Sequence, residues 1–116
     1  MASAQNGAMT FQGRSGRIYN IDYYTADSGA GVLGTFNPSG AAVSTSPTYW
    51  RAPEAVVLKD FAMHTGTTQT GLVMTEDGAI KNGTVLKYPQ FLDSLANRPV
   101  LNIPFNAGAL IGAQSL

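Results

Sequence analysis

Residues 99–113 read PVLNIPFNAGALIGA, and this stretch carries the pattern that decides the fold of the chain. Leu101, Ile103 and Phe105 recur at every second position, which is the period of a β-strand with one buried face. The following segment, 109–114, is apolar on nearly both faces, so we expect a strand that is central in its sheet or covered. The stretch therefore predicts two strands joined by a glycine-containing turn.

The same alternation recurs along the rest of the chain. In 17–24, Tyr19, Ile21 and Tyr23 share one face while Asn20 and Asp22 share the other. Further strand-like segments lie at 9–11, 32–36, 48–51, 54–63, 70–75 and 84–88. Short strands at spacings near ten residues are typical of a sandwich or barrel. The prediction is an all-β fold, a jelly-roll-like antiparallel β-sandwich of about eight short strands with one short helix.

Segment 54–63 is the strongest strand candidate and also the least regular. Ala55, Val57, Phe61 and Met63 share a parity that Lys59 interrupts. Either Lys59 reaches the surface at a β-bulge, or the strand passes through two different environments.

Two dipeptides tolerate the positive φ angles of a tight hairpin turn, Asp77-Gly78 and Asn82-Gly83. They lie too close together to serve two hairpins. We predict that Asp77-Gly78 is the turn and that Asn82-Gly83 forms a bulge or a longer loop.

The single helix is predicted over 88–97. Pro89 suits a first helical position, and Phe91, Leu92 and Leu95 follow at helical spacing. Pro99 lies just beyond the segment and would stop the helix.

Length and charge bound the function. A chain of 116 residues fits one domain. Charged residues make up 12%, about half the usual ~25%, and seven basic residues balance seven acidic ones. A nucleic-acid partner is not expected without a basic excess, and a membrane partner is not expected without an apolar run of about 20 residues. A near-zero net charge favours association with other protein.

We expect two regions in the chain. Residues 1–8 show no core pattern and are predicted to be a flexible N-terminal arm, while 9–116 form a single β-sandwich domain. The start of the chain lacks a basic, apolar signal segment, which predicts synthesis in the cytosol.

Catalytic chemistry has little support in these residues. His64 is the only histidine, and there is no cysteine. A general base needs an orienting partner and a nucleophile, and a metal needs several ligands. The glycine pattern at 29–34 lacks the helix that a dinucleotide site requires, because Pro38 follows closely. We predict no enzyme, no cofactor and no metal, and a small hydrolase using His64 or a carboxylate pair ranks last.

The candidate binding residues are aromatic. Tyr23 and Tyr24 are adjacent, so a strand sends one ring to each face, and Tyr49 and Trp50 repeat the arrangement beside Arg51. Tyr, Trp and Arg dominate interface energetics, so these five residues are the candidate protein interface. The alternative for Trp50 is that it fills the core.

The stretch 97–109 resembles the C-terminal part of small capsid decoration, or cement, proteins of tailed bacteriophages. Segments 17–24 and 58–61 are similar to these proteins in character. The resemblance implies a jelly-roll domain without enzymatic activity that lies outside an icosahedral shell as a dimer or trimer. It further implies that the partners are the major capsid protein and other copies of the chain. The chain would be made in the host cytoplasm and reside on the capsid exterior of the virion.

A second reading from the aromatic residues remains open. A carbohydrate- or receptor-binding β-sandwich module of a phage fibre or tail would stack sugars on exposed Trp50, Tyr23 or Tyr24.

Overall fold

The computed structural model describes residues 5–25, 31–38, 48–64 and 71–116. Within these ranges the chain forms nine β-strands and one short 3₁₀ turn. The strands are β1 (Gln5–Gly13), β2 (Ile18–Thr25), β3 (Thr35–Pro38), β4 (Trp50–Arg51), β5 (Val56–Met63), β6 (Gly71–Glu76), β7 (Ala79–Lys87), β8 (Ile103–Phe105) and β9 (Leu110–Ser115). The predicted all-β class is confirmed.

The described strands form two antiparallel sheets. The five-stranded sheet has the order β3-β2-β1-β5-β8, and the four-stranded sheet has the order β4-β9-β6-β7. Strand pairs β6–β7, β5–β8 and β4–β9 nest inside one another along the chain and alternate between the two sheets. This nesting is the wrapping of a jelly roll, so the sandwich is jelly-roll-like, as predicted.

The N-terminal strand lies in the interior of the five-stranded sheet. β1 pairs with β2 on one side, with Gly7 opposite Tyr23, and with β5 on the other, with Gly7 opposite Met63. Residues 5–8 therefore belong to a strand and not to an arm, which corrects the predicted boundary. Residues 1–4 lie outside the described residues. Pairing with β2 holds all four of these residues, and β5 pairs with the last two, although their sequence carries few large apolar side chains.

The core lies between the inner faces of the two sheets. Leu101, Ile103 and Phe105 are buried, as their alternation predicts. β9 lies between β4 and β6, which explains why its sequence is apolar on both faces. Each large side chain buried here contributes about 1.5–3 kcal/mol of hydrophobic free energy.

A β-bulge at Lys59 explains the irregular pattern of β5. Thr10 pairs with Asp60 while the next residue, Phe11, pairs with Leu58, so Lys59 has no partner in β1. The extra residue changes which parity faces inward. Phe61 is buried as predicted, but before the bulge Leu58 and Val56 face the core, not Ala55 and Val57.

The turn prediction is confirmed. Asp77 and Gly78 connect β6 to β7, with φ angles of 53° and 83° that match a type I′ hairpin turn. Asn82 and Gly83 lie in an irregularity of β7: Val73 pairs with Val85 and Thr75 with Ile80, so several residues of β7 face a single residue of β6.

The predicted helix over 88–97 is reduced to one 3₁₀ turn, Tyr88–Gln90, with Pro89 near its start. The backbone beyond it bonds to β5 instead, because Met63 N–H donates to the Phe91 carbonyl and Asp93 N–H donates to the Met63 carbonyl. These bonds, at 2.7 and 2.8 Å, use the groups that a continuing helix would need. Phe91 is buried against the Phe61 ring, at 5.6 Å between centroids.

Candidate functional site

Two of the five predicted interface residues are core residues. Trp50 is 8% exposed and packs with its ring centroid 4.9 Å from that of Phe11 and 5.4 Å from that of Tyr19. Tyr23 is 1% exposed and meets Phe36 edge-to-face at 5.7 Å. Both rings belong to the core and offer little surface to a partner, so their assignment to an interface is corrected. They face inward because each lies on the inner parity of a strand that has one buried side.

The other three lie on the two opposite outer surfaces of the sandwich. Tyr24 is half-buried on the outer side of the five-stranded sheet. Tyr49 and Arg51 flank the buried Trp50 and therefore point outward from the four-stranded sheet, where Tyr49 is 43% exposed. The fold thus separates Tyr24 from the pair formed by Tyr49 and Arg51.

Side chains on the outer side of the four-stranded sheet form rows that cross its strands. The first row is Leu33, Gln114, Val73 and Val85; the second is Tyr49, Gly112, Thr75 and Ile80; the third pairs Arg51 with Leu110. We name this surface the outer apolar face and define it by Leu33, Tyr49, Val73, Ile80, Val85 and Leu110.

Exposure concentrates on the outer apolar face. Among the described residues, eight large hydrophobic side chains are exposed, and four of them, Leu33, Tyr49, Ile80 and Val85, belong to this face. Scattered single hydrophobics are ordinary on a protein surface, whereas a contiguous patch marks an interaction site. Strand pairing places all four on the same side of the four-stranded sheet, with Leu33 and Val85 at the two ends of the first row and Tyr49 and Ile80 at the two ends of the second. The outer apolar face is therefore the candidate binding surface.

Gly112 provides the space in which the Tyr49 ring packs on this face. A β-carbon at position 112 would collide with the Tyr49 ring and would lie 2.8 Å from Thr75 Oγ1. The absence of a side chain at position 112 therefore lets the ring approach β9 closely. The Tyr49 side chain packs against the sheet and remains 43% exposed, so covering it costs less side-chain entropy than covering an unsupported ring.

Two hydrogen bonds fix the rim of the outer apolar face. Arg51 Nη1 donates to the Gly108 carbonyl at 2.8 Å, and the Leu110 N–H donates to Asp77 Oδ1 at 2.9 Å. They anchor the start of β9 to β4 and to the β6–β7 turn. The rim therefore presents one cation and one anion beside an apolar centre, the usual layout of a protein-binding patch.

The outer side of the five-stranded sheet is polar by contrast. Thr10 Oγ1 donates to Asn20 Oδ1 at 3.3 Å, and Arg98 binds the two Asp60 carboxylate oxygens at 2.8 and 3.2 Å. The Arg98 hydrogen bonds hold the pKa of Asp60 below its usual range, against an opposing effect of burial. These groups already have partners within the fold, so this side is more polar than the outer apolar face.

Glu54 forms a polar brace at one end of the sandwich. Its carboxylate accepts hydrogen bonds from the Tyr19 hydroxyl, the Ser15 N–H and the Ser15 hydroxyl, each at 2.7 Å. The Tyr19 bond is the largest cause that lowers the pKa of Glu54, and the same bond raises the pKa of Tyr19. A carboxylate kept ionised by three donors ties the β1–β2 turn to the segment before β5, and it is poorly suited to proton transfer near neutral pH.

His64 has one ionisable neighbour among the described residues. Its Nδ1 lies 3.0 Å from Asp93 Oδ2, and both side chains are about half exposed. In the described part of the chain, no three His, Cys, Asp or Glu side chains come close enough to hold a metal ion. The pair has the geometry of a surface ion pair, which contributes about 0–1 kcal/mol to stability.

Sequence patterns do not reveal three members of the outer apolar face. Leu33 lies in the glycine-rich segment, and Ile80 and Val85 lie on either side of the β7 irregularity, where alternation is lost. The one usable signal is the apolar character of 109–114, because a strand apolar on both faces needs contacts on both sides of its sheet.

Comparison with known proteins gives no match: no family model, no curated protein and no solved structure is significantly similar to the chain. Among the described residues, no helix has the length and apolar character to cross a bilayer.

Proposed function

We propose that this protein is a virion structural protein, a capsid decoration or cement protein that binds the outside of a major capsid protein shell and stabilises the head. The observation that carries the proposal is the outer apolar face, a rigid sheet surface with four exposed large hydrophobic side chains in a chain that has few charges. The resemblance of segments 17–24 and 97–109 to decoration proteins names the kind of partner.

The size of the face argues for many weak contacts. Full burial of a large apolar side chain contributes about 1.5–3 kcal/mol, so covering side chains that are already half buried contributes on the order of 1 kcal/mol each. Four such contacts give a few kcal/mol, whereas association costs about 4–15 kcal/mol. A single copy would therefore bind weakly. An oligomer that engages several capsid subunits at once gains avidity without new contacts, which fits a symmetric shell.

The charge balance suits dense packing of copies on a shell. Seven basic and seven acidic residues give a formal net charge of zero, so neighbouring copies do not repel one another over long range. Pro104 in the edge strand β8 removes a backbone donor from an exposed sheet edge and so opposes edge-to-edge aggregation at high local concentration.

The proposal is tested by counting copies. Particles of the virus that encodes the chain are purified, and the chain is quantified against the major capsid protein by mass spectrometry. Hundreds of copies per particle are expected for a protein that coats the shell. A handful would indicate a fibre or tail position, and complete absence from particles would overturn the proposal.

A glycan array separates this function from sugar binding. Burial of Trp50 and Tyr23 removes two of the three residues that the sequence indicates for sugar stacking, and it leaves the half-buried Tyr24. We expect no saccharide to bind. Saturable binding of a glycan that the variant Tyr24→Ala abolishes would contradict the decoration function.

A further inference from the structure

A groove of about 490 Å³ lies away from the outer apolar face, and no residue of that face lines it. It runs past the end of β1, the start of β5, the edge strand β8 and the β6–β7 hairpin. Its lining residues include three cations, Arg14, Lys59 and Lys81, and one acid, Glu76. The volume is within the range of ligand-binding pockets, about 300–1,000 Å³.

Two separate strand irregularities deliver lysines to this groove. Lys59 is the extra residue of the bulge in β5, and Lys81 lies in the irregular part of β7, between Ile80 and Val85. These strands belong to different sheets. Bulges interrupt strand pairing and are over-represented next to functional sites, where they redirect a side chain. Both register shifts that the described strand pairs contain thus place a cation on the same groove.

The groove keeps a positive excess after its internal contacts are counted. The Glu76 carboxylate is already bound on both oxygens, Oε1 by Lys81 Nζ at 3.2 Å and Oε2 by the Asn106 N–H at 3.1 Å. Lys59 Nζ donates to Asn102 Oδ1 at 2.7 Å and keeps two further N–H donors. In the described part of the chain, the Arg14 guanidinium has no hydrogen-bond or ion-pair partner. Among the lining residues that the structure describes, three cations and one acid give a net charge of +2, which an acidic occupant would neutralise.

The groove is also apolar between its charges. Val57 and Pro104 lie opposite each other in the β5–β8 pair and line it, as does Phe105, whose ring lies 5.2 Å below Lys81 Nζ. Pro104 has no N–H, so β8 offers a poor edge for the addition of another strand. Recognition here would use side chains: carboxylates for the cations and apolar groups for the floor.

From this arrangement we propose that the groove binds an acidic segment of a partner protein, in which carboxylate side chains alternate with apolar ones. The groove and its charges do not depend on the capsid function, so this proposal stands separately. A polynucleotide is a poorer occupant, because the lining residues that the structure describes include no exposed aromatic ring on which a base could stack.

The test uses the full chain and a fluorescein-labelled octapeptide in which aspartate alternates with valine. Fluorescence anisotropy should show saturable binding at low salt that weakens about tenfold or more at high salt. Arg14→Glu and Lys59→Glu should each raise the dissociation constant about tenfold, because each places a like charge beside a peptide carboxylate. Both positions are exposed, so the melting temperature of each variant should stay near that of the wild type.

Lys87→Glu is the matched control. Lys87 is an exposed lysine of β7 that does not line the groove, and its reversal changes the net charge of the chain by the same amount. This variant should bind the peptide as the wild type does. Equal loss in Lys87→Glu and Lys59→Glu would overturn the proposal, because binding would then follow net charge. Equal affinity for a lysine–valine octapeptide, or tighter binding of a single-stranded oligonucleotide, would overturn it as well.

Discussion

The two outer surfaces of the sandwich differ in the neighbours that surround their exposed apolar side chains. Ile18 lies on the outer side of the five-stranded sheet and is 51% exposed. Ile80 lies on the outer side of the four-stranded sheet and is 54% exposed. The nearest residue on the same face of the strand of Ile18 is the polar Asn20. Ile80, by contrast, is the last residue of the row formed by Tyr49, Gly112 and Thr75. The exposure of a single residue therefore does not show whether it belongs to a binding patch, because this depends on the side chains that surround it.

The largest effect is expected at the start of β4, where the core residue Trp50 directly follows Tyr49 of the outer apolar face. Trp50→Ala should lower the free energy of unfolding by about 3–5 kcal/mol, because it removes the ring that packs against Phe11 and Tyr19. Tyr49→Ala, one residue away and on the open side, should lower it by about 1 kcal/mol or less. Urea denaturation of both variants measures the difference. Equal losses would mean that Tyr49 is a structural residue and not part of a free surface.

An intermediate effect on stability is expected at Gly112, against which the Tyr49 ring packs. Gly112→Ala should destabilise the protein by about 1–3 kcal/mol, because the added methyl group overlaps the Tyr49 ring. The double variant Gly112→Ala, Tyr49→Ala should lose less stability than the sum of the two single variants, since the clash is then relieved. Strict additivity in the same denaturation experiment would show that the ring does not rest on Gly112.

The smallest effect is expected on the polar side. Because Arg98 lowers the folded-state pKa of Asp60, this carboxylate stabilises the fold above its ordinary pKa of 3.8, and the contribution disappears as the pH falls through the folded value. Asp60→Asn should therefore be less stable than the wild type at neutral pH by about 1 kcal/mol or less, since the pair is only partly buried and water screens it.

The pH dependence checks the sign of that effect. Thermal unfolding followed from neutral to acidic pH should show the wild type and Asp60→Asn converging below pH 3.8. A gap that widens in acid would contradict the assigned ion pair with Arg98. Tyr49→Ala neither adds nor removes a carboxylate, so its stability relative to the wild type should not change in this pH range. It serves as the reference variant on the other side of the sandwich.

Strand periodicity and turn chemistry predict much of the fold. The alternation of Tyr19, Ile21 and Tyr23 places the inner face of β2 correctly, and the tolerance of Asp77 and Gly78 for positive φ places the β6–β7 turn. Both are local properties, in which a few neighbouring residues determine the outcome.

Longer-range contacts explain where sequence patterns fall short. The helix over 88–97 is lost because Phe91 and Asp93 bond to Met63, a residue more than 25 positions away. The inner residues of β5 are Val56 and Leu58 before the bulge at Lys59, and Phe61 after it. This change of inward-facing parity arises from the pairing of β5 with β1, where Lys59 is the extra residue. These outcomes depend on partners that a single strand does not specify.

The candidate surface shows the same division. Tyr49 and Arg51 belong to the outer side of the four-stranded sheet, whereas Trp50 and Tyr23 are core residues, because alternation separates neighbours without stating which face is buried. Leu33, Ile80 and Val85 join the surface only through strand pairing.

The most direct test of the proposed decoration function compares two matched variants, Ile80→Glu and Ile18→Glu, in co-sedimentation with capsids from which the chain has been stripped. Both replace an isoleucine that is about half exposed, on opposite sides of the sandwich. Ile80→Glu should lose most of its capsid binding, because it buries a charge against the shell, while Ile18→Glu should bind as the wild type does. Loss of binding in Ile18→Glu with full binding in Ile80→Glu would contradict the assignment of the outer apolar face as the capsid-binding surface.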